Sequence, residues 1–133
     1  MLGSLAVKCR NVGKTRFCGE ARGHQAFCDV VPQMGGEDSA MLPPESLLAS
    51  LGNCLGMAIA LTCMNKDIPY EGMEVNVTAD LVEEGKRVDN FRVEVTMPQP
   101  LDDRQRRIVD SALELCKVGK TLTHGAKVEE VIL

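Results

Sequence analysis

From Met73 to Leu81 apolar and polar residues alternate: Met73, Val75, Val77, Ala79 and Leu81 against Glu74, Asn76, Thr78 and Asp80. A period of two is that of a strand with one dry and one wet face. Phe91, Val93, Val95 and Met97 repeat the pattern against Arg92, Glu94 and Thr96. Glu83-Glu84-Gly85-Lys86 lies in the connection, so the pair predicts an antiparallel hairpin. The first third carries shorter versions. Leu5, Val7 and Cys9 alternate, residues 15–19 follow the Asn11-Val12-Gly13 turn, and residues 25–31 follow Arg22-Gly23-His24. These spacings predict a small meander of strands.

Residues 32–44, with Gly35-Gly36, Asp38, Ser39 and Pro43-Pro44, have the punctuation of a loop. A helix is predicted to start there, because proline is tolerated in the first turn and Glu45 sets a carboxylate at the positive end of the helix dipole. It should run to about residue 66 and stop before Pro69. A second helix follows Pro98 and Pro100, capped by Asp102 or Asp103, with Ile108, Val109, Ala112, Leu115 and Cys116 as its apolar stripe. Residues 128–133 read as a closing strand. The order of strands, long apolar helix, hairpin, amphipathic helix and strand predicts an α+β fold, one domain over residues 1–133.

Residues 46–65 carry no charge, and about 20 such residues can span a bilayer. Ser46, Ser50, Asn53, Thr62 and Asn65 are polar, however, and Gly52 and Gly56 interrupt the run. The expectation is a helix buried by its own fold and a partner, with no membrane span. A net charge of −4 and three Phe, one Tyr and no Trp give neither a basic face nor a stacking surface, which argues against nucleic acid.

The six cysteines, at positions 9, 18, 28, 54, 63 and 116, contain no C-x-x-C pair, and His24 and His124 fit no zinc spacing, so no metal is expected. The first six residues lack the basic head and apolar run of a signal peptide, so the expected setting is the cytosol with reduced thiols. Cys9, Cys18 and Cys28 fall in predicted strands as small apolar residues. Cys54 lies between Gly52-Asn53 and Leu55-Gly56, small neighbours that suit a pocket floor. In mid-helix it gains little from the helix dipole, so a reactive thiolate there needs a cation from another element. Cys63, nine residues on, lies on the opposite face and roughly 13 Å along the axis, beyond disulfide reach. Cys116, on the second helix's apolar stripe, is the more plausible partner.

Pro44-Glu45-Ser46-Leu47-Leu48-Ala49-Ser50-Leu51-Gly52-Asn53-Cys54-Leu55-Gly56-Met57 resembles the central-helix motif of the OsmC/Ohr superfamily, the osmotically inducible and organic-hydroperoxide-resistance proteins. Cys116-Lys117-Val118-Gly119-Lys120-Thr121-Leu122 is similar to the family's second-cysteine motif. The resemblance implies an intertwined homodimer with both central helices buried together. It also implies a two-cysteine peroxidase, with Cys54 peroxidatic and Cys116 resolving, an organic hydroperoxide as substrate, an external thiol or dithiol reductant and no bound cofactor.

By the same resemblance, an arginine from the N-terminal strands favours the thiolate and a glutamate near the helix start orients it. Arg16 is the candidate for the first, with Lys14 and Arg22 in the same stretch. Glu45 is the candidate for the second. The family's best-known peroxidases place that carboxylate ten residues before the cysteine, where this chain has Pro44. Ideal helix geometry turns Glu45 away from Cys54, which leaves a helix-start carboxylate as its other reading. Lys117 and Gly119 also depart from the proline and histidine the family often shows after its second cysteine. A rival reading keeps the dimer and its pocket as a module that holds an apolar or thiol-bearing small molecule, with Cys54 at most a sensor.

Overall fold

The computed structural model describes residues 3–133; the first two residues of the leader reading lie outside it. The chain divides into two compact units, Met1–Leu47 and Leu48–Leu133.

In the first unit β1 (Lys8–Asn11), β2 (Phe17–Ala21) and β3 (His24–Cys28) form an antiparallel sheet in the order β1-β2-β3. The β2–β3 turn is Arg22-Gly23, both at positive φ (53° and 84°), the two-residue hairpin loop whose twist suits the flanking strands. The predicted meander is present, though β3 stops at Cys28. Asp29 ends it, because its carboxylate is buried at 2% exposure and collects the donors of the following loop. Thr15 Oγ1 and Ser39 Oγ donate to it at 2.6 Å each, as do the N–H groups of Val30 (2.8 Å), Ser39 (3.1 Å) and Glu37 (3.3 Å). Gly36 packs so tightly on Val30 that a Cβ there would fall 2.0 Å from the Val30 carbonyl oxygen. Cys18 is buried, whereas Cys9 is exposed, because it lies in the outer strand of a three-stranded sheet.

The long helix α1 (Pro43–Met64) starts with Pro43 and Pro44 in its first turn. The Glu45 carboxylate accepts from the Leu42 N–H at 2.9 Å, and the Leu42 carbonyl accepts from Ser46 N–H at 2.9 Å. Glu45 thus forms half of a capping box around Leu42. At the other end Asp67 adopts φ 54° and the Ile68 N–H returns to the Cys63 carbonyl at 3.1 Å, the closing bond of a Schellman turn.

In the second unit β4 (Glu74–Val82) and β5 (Arg87–Thr96) form the predicted hairpin, with Val75 opposite Val95 and Val77 opposite Val93. The apolar face of the hairpin packs with α1 and two further helices around Leu51, Leu55, Ala58, Ile59, Cys63, Val109, Ala112 and Cys116. Gly52 and Gly56 are what let β4 approach. A Cβ on Gly52 would meet Val77 Cγ2 at 2.8 Å, and one on Gly56 would meet Val75 Cγ2 at 3.4 Å. The small residues beside Cys54 therefore form a helix–sheet contact, not the expected pocket floor. A surface depression of about 420 Å³, bordered by Cys63, Ile68, Tyr70 and Pro98, lies toward the far end of α1.

Two expectations about the C-terminal third are corrected. The second helix, α2 (Asp103–Ser111), begins with a capping box on Asp102 but gives way to a tight 3-10 turn at Ala112–Leu115, and Cys116 is extended. A separate helix, α3 (Lys117–His124), follows. Gly119, Thr121 and Thr123 weaken its helix propensity, but the four-residue spacing of Val118 and Leu122 lays one face on the core, and that packing decides. His124 therefore sits in its last turn. Residues 125–133 form no strand. Val128, Val131, Ile132 and Leu133 are exposed: strand-forming residues do not by themselves supply an edge to pair with.

Candidate functional site

Cys54 and Cys116 come together in the second unit through the start of α3. Cys116 is the N-cap of that helix, and its Sγ accepts the Gly119 N–H at 3.3 Å. The N–H groups of Val118 and Lys117, in the same turn, and the Cys116 thiol lie near enough to the Cys54 sulfur to favour its thiolate. Gly119 keeps this junction tight. A Cβ there would lie 3.2 Å from Cys116 Sγ and 3.6 Å from Cδ1 of Leu51, one turn before Cys54 on α1.

This arrangement drives the two thiols apart in acidity. The Val118 N–H does most to hold the Cys54 pKa below the ordinary thiol value against burial; the Cys116 thiol, the Lys117 N–H and the Lys117 charge act the same way. Cys116 is pushed up, first by burial and then by its neighbour Cys54. Cys54 is therefore the more acidic thiol of the two. Burial alone raises the Cys63 thiol, which is fully covered. Of these three thiols, Cys54 is the one whose surroundings favour the thiolate.

The other expected site residues lie in the first unit. Arg16 is half-buried, with its guanidinium 4.3 Å over the Phe27 ring, and its Nε is the buried side-chain nitrogen without a hydrogen-bond partner among the described residues. Lys14 and Arg22 are exposed in turns, at φ 48° and 53°. Among the described residues no ion pair joins Arg16 to Glu45, whose carboxylate is taken by the Leu42 N–H. Nor is any group of three His, Cys, Asp or Glu side chains arranged to hold a metal there.

Sequence reasoning missed the N–H groups of α3. Their signal was a cysteine followed at the third position by glycine, which reads as an N-cap once sulfur is allowed as the acceptor. It also missed Asp29, a carboxylate inside the apolar run Ala26-Phe27-Cys28-Asp29-Val30-Val31.

The fold agrees with comparison to known proteins. The family described as OsmC-like protein matches residues 36–131, and the chain belongs to that family. No curated protein matches the chain by sequence. Among solved structures it resembles a protein from Psychrobacter arcticus 273-4 described as an osmotic stress induced and detoxification response protein. The TM-score is 0.79 at 23% identity, over 91% of this chain and 90% of that one. An OsmC-like protein from Mycoplasma pneumoniae matches with TM-score 0.74 at 16% identity, over 92% and 89%. An organic hydroperoxide resistance protein, OsmC, from Legionella pneumophila matches with TM-score 0.58 at 18% identity, over 92% and 90%. At these identities the likeness establishes a shared fold.

Proposed function

We propose that this protein is a cytosolic, dimeric thiol peroxidase that reduces organic hydroperoxides, with Cys54 as the reacting thiol and Cys116 as its resolving partner. The observation that carries the reading is the meeting of Cys54 with Cys116 at the N-cap of α3, where the surroundings lower the Cys54 pKa and raise that of Cys116. In this mechanism the Cys54 thiolate attacks the terminal oxygen of R–O–OH. An S–O bond forms, the O–O bond breaks, and the alkoxide takes a proton and leaves as alcohol. The Cys54 sulfenic acid then condenses with the Cys116 thiol, giving a disulfide and water, and an external dithiol returns both sulfurs to thiols.

Leu51, Leu55, Val118 and Leu122 belong to the same apolar cluster as the two thiols, which favours an alkyl peroxide over hydrogen peroxide. Each buried methylene contributes roughly 0.8 kcal/mol to that preference. Met57, Leu61 and Met64, at positions i, i+4 and i+7 of α1, are 63%, 58% and 56% exposed. An apolar stripe of that kind suits burial against the same helix of a second copy. Family membership supports both readings, and the structures named for organic hydroperoxide resistance share the fold.

The test is consumption of an alkyl hydroperoxide in the presence of excess dithiol. Wild-type protein turns over, and Cys54→Ser is inactive. If wild-type protein binds small molecules but consumes no peroxide, the binding-module reading replaces this one.

A further inference from the structure

We propose that the Cys116 sulfur is a redox-operated cap: as a free thiol it closes the first turn of α3, and its bonding to Cys54 releases that turn. The inference rests on the reading of Cys54 and Cys116 as a pair, but its test uses an oxidant other than peroxide.

Cys116 is extended, at φ −81° and ψ 99°, and its Sγ accepts the Gly119 N–H at 3.3 Å. That is the bond an N-cap side chain makes to the third helical position. The turn has little other support. Gly119 is a poor helix former, Thr121 and Thr123 are weak ones, no acidic side chain stands in the first turn, and Lys117 there opposes the dipole. Eight residues are too few to persist as a helix by their own bonds. The supports are the packing of Val118 and Leu122 on the core, the Lys120 N–H on the Cys116 carbonyl at 3.0 Å, and the sulfur. The chain beyond, residues 125–133, forms no helix or strand, and Val128, Val131, Ile132 and Leu133 are exposed.

The same sulfur stands against α1. Cys116 shares the buried cluster with Leu51 and Leu55, and Cys54 packs against that cluster. A Cβ on Gly119 would meet both Cys116 Sγ, at 3.2 Å, and Leu51 Cδ1, at 3.6 Å. One sulfur therefore serves two neighbours. As a thiol it is free to turn its lone pair to the Gly119 N–H. In a disulfide its place is set by the bond to Cys54, hence by α1, and it no longer follows the α3 turn. The bond forms as the Cys54 sulfenic acid gives up its hydroxyl and the Cys116 thiol its proton, which leave together as water. Release of the turn has a use: Cys116 is 5% exposed, and an open first turn lets an external thiolate reach its sulfur.

The experiment is hydrogen exchange read by mass spectrometry on peptides covering residues 117–124 of the full-length protein. Cys116→Ala removes the acceptor without oxidation and should lower protection there about three- to tenfold relative to reduced wild type. Cys116→Ser, whose hydroxyl is a preferred N-cap acceptor, should keep or raise that protection. Wild-type protein is then oxidised with diamide, whose N=N bond takes up the two electrons and two protons of the thiols, and the Cys54 to Cys116 bond is verified by mass. Its 117–124 peptides should lose protection as in Cys116→Ala, while peptides covering residues 74–96 stay as in the reduced protein. Folded Cys116→Ala that superimposes on reduced wild type overturns the proposal. So does Cys116→Ser exchanging as fast as Cys116→Ala, an oxidised protein as protected as the reduced one, or a failure of diamide to join the two sulfurs. If diamide joins them and releases the turn, yet an alkyl hydroperoxide leaves both thiols intact, the peroxidase reading falls and this one stands.

Discussion

Replacing Gly52 by alanine tests whether β4 is held against α1 as described. The new methyl falls 2.8 Å from Val77 Cγ2 and 3.6 Å from Val75 Cγ1, whereas the same change at Gly56 meets its nearest atom, Val75 Cγ2, at 3.4 Å. Carbon atoms are at their best separation at about 3.5–4.0 Å. Gly52→Ala therefore forces a short, stiff valine in a strand to move, while Gly56→Ala needs almost no adjustment. Both substitutions gain about 0.8–1.0 kcal/mol of helix propensity. Overpacking of this kind costs about 1–3 kcal/mol. Gly56→Ala should therefore be neutral or slightly stabilising, and Gly52→Ala less stable than Gly56→Ala by about 1–3 kcal/mol, since the propensity gain cancels in the difference. For a domain of this length that is about 3–5 °C in Tm per kcal/mol. Urea unfolding followed by circular dichroism, at one protomer concentration, reads the difference. Adding Val77→Ala to Gly52→Ala should relieve the clash, so the pair should be less destabilised than the sum of the single changes. Equal stability of the two glycine variants would refute the reasoning.

Three further outcomes are expected. The Asp29 carboxyl is held well below the usual carboxylate range, first by the Ser39 hydroxyl and then by Thr15, so it contributes stability above about pH 4 that is lost as pH falls toward its folded value. Asp29→Asn should lower Tm at pH 7 by several degrees and flatten its decline in acid, and a parallel pH profile would contradict this. Gly119→Ala places a methyl 3.2 Å from Cys116 Sγ, so peroxide-driven loss of the second thiol should slow severalfold at preserved Tm, measured by stopped thiol titration. Leu61→Glu puts a charge in the exposed apolar stripe of α1 and should convert the proposed dimer to monomer in sedimentation velocity.

Where the chain alternates, as at Val75, Val77, Val93 and Val95, the period of two fixed face and register together, and the hairpin was legible before any coordinates. α1 was legible for another reason: Pro43-Pro44 starts it and no charge falls within residues 46–65. The start of α3 was not. Its helix depends on Val118 and Leu122 packing onto a core assembled from distant elements, and its cap is a sulfur, which capping preferences do not anticipate. The pairing of Cys54 with Cys116 came from family resemblance; the packing of α1 against the turn at Cys116 and Gly119 gives it a physical basis. The requirement for a cation near Cys54 followed from its mid-helix position. The first unit was read for Arg16 and Glu45, and Glu45 proved to be engaged at the start of its own helix.

The most direct test is to add one equivalent of an alkyl hydroperoxide to the fully reduced protein and map the products by mass spectrometry, with hydrogen peroxide in parallel. The account predicts a stoichiometric bond between Cys54 and Cys116, formed faster with the alkyl peroxide, and Cys63 unmodified. Folded protein in which Cys54 stays a thiol, or in which oxidation falls on other cysteines first, would contradict it.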